Sequence, residues 1–149
     1  MQSIILKVTY FITIFFLTVS GFGQLPIFKR YYIADIPGLE WLAKFYVTHT
    51  LHYIFSIILV GLIVYIIVDN ILSKEKTLIV PFPIYTKLFL LSGLMITGIF
   101  MGIKNYTGTP FSPSLVIILD LTHLTFCMAF LVYSLHTLLT RQKGLIHNL

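Results

Sequence analysis

Four apolar stretches, each long enough to cross a lipid bilayer as an α-helix, constrain this chain more than any other feature. A helix needs about 20 mostly apolar residues to traverse the hydrocarbon core. The spans are expected at residues 4–22, 45–68, 85–103 and 114–139. Only Lys7 interrupts the first, near enough to its end for the ammonium to snorkel to the interface. Of the 149 residues, 58% are hydrophobic and 10% charged, whereas a soluble domain carries about 25% charged residues. With so few charges, most of the surface must face something other than water. The expected fold is therefore all-α: an integral membrane four-helix bundle, with residues 1–149 forming a single unit. An N-terminal apolar stretch can also be a cleaved leader, and Lys7 with Thr18-Val19-Ser20-Gly21 carries some of that character. We read it as a retained first helix.

The connections set the topology. Residues 23–44 form the longest and contain Pro26, Lys29, Arg30, Asp35, Pro37, Glu40 and Lys44, with Tyr31, Tyr32 and Trp41 as interfacial aromatics. The second, 69–84, holds Lys74, Lys76, Pro81 and Pro83, and the third, 104–113, is a Pro/Gly-rich turn. A net charge of +5 on a soluble protein would suggest nucleic acid. Here the basic residues sit in connections and at span ends, where membrane topology accounts for them, and no nucleic-acid partner is expected. With four spans both termini share a side. That side collects Lys7, Lys74, Lys76, Lys87, Arg141 and Lys143, against Lys29, Arg30, Lys44 and Lys104 opposite. The excess of six over four points to cytoplasmic termini.

The histidines carry the chemistry. His49, His52, His123 and His136 lie inside expected spans, and His147 in the tail. A single intramembrane histidine is most simply an interfacial or backbone-bonded side chain, but four on two helices point to a cofactor. His49 and His52 lie one and two turns below the start of the second span, and His123 lies about 14 Å below Ser114. These two helices start from the same side, so either His49 or His52 falls at a depth similar to His123. Imidazoles at equal depth in a helix bundle are what a bis-histidine haem requires. His136 lies thirteen residues beyond His123, about 20 Å along the axis, at a level where no second histidine pairs with it.

Other residues have two readings each. Gly93, Gly98, Gly102 and Ser56 could make room for a flat macrocycle, or could serve close helix packing, Gly98 and Gly102 forming a GxxxG spacing. Lys29, Arg30 and Lys44 could pair with haem propionates or anchor to headgroups. Asp120, three residues before His123, could take a quinol proton, orient a histidine, or sit in a hydrated pocket. Cys127 is the sole cysteine, so the chain holds no iron–sulfur site of its own, and we read the residue as a small packing group.

These pieces resemble the membrane-anchoring b-type cytochrome subunits of respiratory formate dehydrogenases and nickel–iron hydrogenases. The likeness rests on Thr18-Val19-Ser20-Gly21, on His52 followed by Ser56, on Ile96-Thr97-Gly98, and on His123 and His136. It covers most of the chain through short motifs. The resemblance implies haem b between His52 and His123, with His49 as the alternative to His52. It also implies a respiratory oxidoreductase complex in a bacterial cytoplasmic membrane, with a quinone as exchangeable substrate. The family's second haem uses a histidine near the start of the first helix, where this chain reads Ile5-Leu6-Lys7-Val8-Thr9-Tyr10. One haem is therefore expected, leaving His136 as a second-site ligand only if a partner supplies its mate, or else as a quinone or structural contact.

The leading expectation is an electron-transfer subunit passing electrons between the quinone pool and an iron–sulfur or multihaem cytochrome subunit. A haem-free membrane anchor or assembly subunit is the alternative. A small transporter would need a polar stripe along several helices, and the sequence has little of one beyond its histidines. Catalysis by this chain alone is not expected, because it has neither a Gly-rich phosphate loop nor a nucleophile–base arrangement.

Overall fold

The computed structural model describes residues 2–25, 35–72, 82–105 and 111–146. Four long helices account for most of them: α1 (Gln2–Gly23), α2 (Phe45–Leu72), α3 (Phe82–Asn105) and α4 (Pro113–Ile146). A short 3₁₀ helix, Glu40–Ala43, precedes α2, and no strand occurs among the described residues. The all-α fold class read from the sequence is the one observed. Each long helix contains a stretch apolar enough to cross a membrane: Ile4–Gly23, Phe45–Asp69, Tyr85–Asn105 and Pro113–Thr140. The chain is a multi-pass membrane protein.

The helices overrun the apolar stretches because polarity does not end a helix; capping and breaker residues do. Ser112 caps α4, its Oγ accepting from Leu115 N–H at 3.3 Å and its carbonyl from Val116 N–H at 3.1 Å. Pro113 follows at the first helical position, where a missing N–H costs nothing. At its far end α4 continues through Arg141 and Lys143 to Ile146. α1 stops at Gly23, with its last turn closed by three-residue bonds from Gln24 N–H to Gly21 O and from Leu25 N–H to Phe22 O.

Large apolar side chains stand exposed along every helix, among them Phe15, Ile57, Phe89 and Val132. Water would not tolerate such a surface, and lipid is its natural solvent. Apart from Leu42, Leu59 and Phe130, the side chains buried among the described residues are small and hydroxylated: Thr13, Ser20, Thr48 and Thr97. Lipid tails are as apolar as leucine, so membrane helices associate through close approach and polar contacts rather than by hiding grease.

The chain divides into two compact units, Met1–Lys76 and Thr77–Leu149, each an αα-hairpin. In the first, α1 packs on α2, and Phe16 stacks on Phe55 with centroids 4.5 Å apart and planes 5° from parallel. The 3₁₀ helix lays Leu42 over the end of α1, where a Cβ at Gly23 would stand 3.1 Å from both Leu42 and Thr48. In the second, α3 packs on α4. There the Phe126 ring lies so close to Gly93 that a Cβ would come within 2.6 Å of it.

Candidate functional site

His52 projects from α2 seven residues after Phe45, about 10 Å along the helix. Its Nδ1 lies 3.0 Å from the Oγ of Ser20 on α1. The same Oγ lies 2.6 Å from the carbonyl of Phe16 and 3.3 Å from that of Leu17. A carbonyl brings no proton and a serine hydroxyl has only one. The 2.6 Å contact requires that proton, so the hydroxyl donates to Phe16 O and can only accept from the imidazole. Nδ1 therefore carries a hydrogen, and in the neutral ring the lone pair resides on Nε2. Ser20 is 1% exposed, so bulk water does not compete for the contact. The next residue, Gly21, lets the ring approach: a Cβ there would stand 3.2 Å from His52 Cε1.

The second hairpin repeats the device. His123, ten residues into α4, has Nδ1 2.8 Å from Thr97 Oγ1 on α3. Thr97 Oγ1 donates to Gly93 O at 2.7 Å, with Leu94 O at 3.2 Å. By the same count the hydroxyl accepts from the ring, and Nε2 of His123 bears the lone pair. Gly98 follows, with a Cβ position 3.6 Å from His123 Cε1. Each hairpin thus presents a hydroxyl–glycine dipeptide from its first helix to an imidazole on its second.

A neutral imidazole that donates from one nitrogen to a fixed acceptor is the form in which histidine binds metals. The outer hydrogen bond sets the tautomer, orients the ring and raises the basicity of the ligating nitrogen. Among the described residues no group of three His, Cys, Asp or Glu side chains gathers in one place.

The remaining expected residues fall as follows. His49 sits in an aromatic run on its own helix, stacked on Phe45 at 5.1 Å and edge-on to Tyr53 at 4.3 Å. His136 is exposed on α4, thirteen residues past His123. Asp120 forms an ion pair with Lys104, Nζ to Oδ1 at 3.0 Å, tying α4 to the end of α3. Lys44 is exposed at the junction of the 3₁₀ helix and α2, and Lys29 and Arg30 lie outside the described residues. Ser56 donates back to the His52 carbonyl at 2.7 Å. Of the small residues, Gly93 makes room for Phe126, Gly98 stands at ordinary contact distance from His123, and Gly102 has nothing within 4 Å of its Cβ position among the described residues. Cys127 is a half-buried free thiol.

The contacts of Ser20 and Thr97 with the two histidines were not read from the sequence, although both residues fall within the short motifs quoted from it. The available signal was a hydroxyl residue followed by glycine in the first helix of each pair and a histidine in the second, and α3 offers Ser92-Gly93 for it as well as Thr97-Gly98. Comparison with family models, curated proteins and solved structures returned no match.

Proposed function

We propose that this chain is a haem b-binding electron-transfer subunit of a membrane respiratory complex, with His52 and His123 as axial ligands. The observation that carries the reading is the shared presentation of the two imidazoles. Both have Nδ1 engaged by an accepting hydroxyl, which leaves Nε2 as the ligating nitrogen. Gly21 and Gly98, beside the rings, are what such a site asks of its helices. That the two histidines serve one iron rests on the sequence resemblance. His49, wedged between Phe45 and Tyr53, suits the ligand role less well than His52.

A haem b held by these residues supplies a one-electron ferric–ferrous couple. The chain's own contribution is to hold each ring in one tautomer and one orientation, and to surround it with apolar side chains that keep water out. Lys44, with Lys29 and Arg30 in the same connection, is assigned to the propionates. The quinone is assigned to His136, at the other end of α4; Asp120, its charge balanced by Lys104, lies about 24 Å away along the axis at the level of His123 and does not share that contact. Cys127 is the sole cysteine, so any iron–sulfur centre in the complex belongs to a partner. The membrane is the bacterial cytoplasmic membrane, with both termini on its inner side.

The test is a reduced-minus-oxidised visible spectrum of the purified wild type and of His49→Ala, His52→Ala and His123→Ala. The b-type signal is expected in the wild type and in H49A, and is expected to be lost in H52A and H123A. Full signal in both of the latter overturns the ligand assignment. Pyridine haemochrome quantitation is expected to give one haem per chain, and two would sink the single-haem reading. A wild type with no Soret band would leave a haem-free anchor.

A further inference from the structure

We infer that Ser20 and Thr97 are positioning residues that lock His52 and His123 in the Nδ1–H tautomer and, through those rings, lower the reduction potential of the bound haem. The first half stands on the hydrogen-bond geometry alone. The second rests on the haem reading above.

The two hydroxyls are matched in detail. Each lies on the first helix of its hairpin and is buried. Each spends its proton on the carbonyl four residues back, with the carbonyl three residues back next nearest. Each then offers an oxygen lone pair to the Nδ1 of a histidine across the helix pair, at 3.0 Å from Ser20 and 2.8 Å from Thr97. A serine or threonine that served only its own helix would need the backbone bond and nothing more. Here the backbone bond has a consequence across the interface: it removes the option of donation, so the hydroxyl is a dedicated acceptor. A glycine follows each one: a Cβ at Gly21 would press on the His52 ring at 3.2 Å, and one at Gly98 would meet His123 at ordinary contact distance, 3.6 Å.

Electronically the direction is fixed. An acceptor on Nδ1–H draws the proton away from the ring, and the imidazole becomes a stronger donor at Nε2. A stronger axial donor stabilises ferric over ferrous iron. Removing the acceptor should therefore raise the potential. The shift belongs to the scale of one hydrogen bond, a few-fold to about tenfold in the ferric–ferrous equilibrium, tenfold being 59 mV for a one-electron couple.

The cleanest pair of variants is Thr97→Val, which keeps the branched shape and loses the oxygen, and Thr97→Ser, which keeps the oxygen and loses a methyl. Ser20→Ala is the counterpart in the first hairpin. Two readouts separate the two halves of the inference. Nitrogen-15 NMR of histidine-labelled protein, prepared without haem in detergent, reports the tautomer of each ring. Nδ1–H is expected for His52 and His123 in the wild type. T97V is expected to release His123 alone, S20A to release His52 alone, and T97S to retain the wild-type signature. Unchanged tautomers in T97V and S20A overturn the positioning role, whether or not haem binds. Spectroelectrochemical titration of the haem-loaded protein should place T97V and S20A at higher potential than the wild type, with T97S returned to it. A tautomer change with no movement in potential overturns the link to the haem. A wild type that binds no haem overturns that link together with the proposed function, and leaves the NMR result to decide the positioning role by itself.

Discussion

Residue 93 shows how little room this protein leaves at its helix contacts. A Cβ on Gly93 would stand 2.6–2.8 Å from three atoms of the Phe126 ring, which no real contact sustains. Gly93→Ala should therefore destabilise the second hairpin by about 1–3 kcal/mol, the scale of an overpacked core. Shortening the obstacle with Phe126→Leu in the same chain should recover part of the loss; thermal unfolding in detergent measures both. Gly98→Ala meets His123 only at ordinary contact distance, 3.6 Å, and should be nearly neutral. The Lys104–Asp120 pair calls for an asymmetric outcome. Asp120 lies within the apolar span of α4, whereas Lys104 stands at the end of α3, where its stem can carry the ammonium to the interface. Lys104→Met strands a carboxylate among apolar groups, but Asp120→Asn leaves a cation with somewhere to go. We expect K104M to lower yield and melting temperature, D120N to change them little, and the double variant to recover most of what K104M loses. Equal losses from both single variants would contradict this account of the pair.

At the scale of the element, hydropathy identifies a span but not the face it presents to a neighbour. Ile57 and Leu59 are nearly interchangeable in the sequence of α2, yet Ile57 is 72% exposed and Leu59 only 7%. Leu59→Ala opens a void at the helix contact and should cost about 2–5 kcal/mol. Ile57→Ala exchanges one lipid contact for another, and its unfolding in detergent should barely move. The same pair explains what could be read in advance. The four spans were legible because each run of apolar residues matches the bilayer thickness. The helix ends were less so, because α4 continues past Thr140 into a basic tail that remains helical to Ile146. The 3₁₀ helix Glu40–Ala43 was not legible at all, lying in a connection with no periodic pattern. The histidines stood out because an ionisable group in a span is costly, but their hydroxyl partners did not. On helices apolar all round, no stripe of polarity marks which of the Ser and Thr residues face inward, and most of them satisfy themselves by bonding their own helix. Ser20 and Thr97 became distinguishable from Thr9, Thr18 and Thr125 only when the neighbouring helix was in place.

For the whole molecule, direction in the membrane sets which face of the bilayer the proposed haem and quinone contacts lie towards. Six of the ten Lys and Arg residues lie on the side of the termini, and two of those six, Lys74 and Lys76, share the connection between the hairpins. Orientation follows the Lys and Arg count in short loops and near span ends, and acidic residues contribute little. Lys87 and Lys104 lie within helical segments, close to span ends, and the helices hold them at the interface. Arg141 and Lys143 fall in the C-terminal segment of α4. Lys74 and Lys76 belong to a short connection, where the Lys and Arg count acts on orientation. A reporter active only outside the cytoplasm, inserted after Asn105, should therefore be active in the wild type, and the same reporter at the C-terminus silent. Replacing Lys74 and Lys76 with glutamine makes the basic count even across the membrane. The expected result is a mixed population, with reporter activity at both positions. Replacing Lys29 and Arg30 instead should sharpen the wild-type pattern, because it removes charge from the translocated side. If the Lys74/Lys76 variant kept a single orientation, the determinant would lie among the other basic residues of that side, Lys7, Lys87, Arg141 and Lys143, and the reporter series would be repeated on each, beginning with Lys7→Gln.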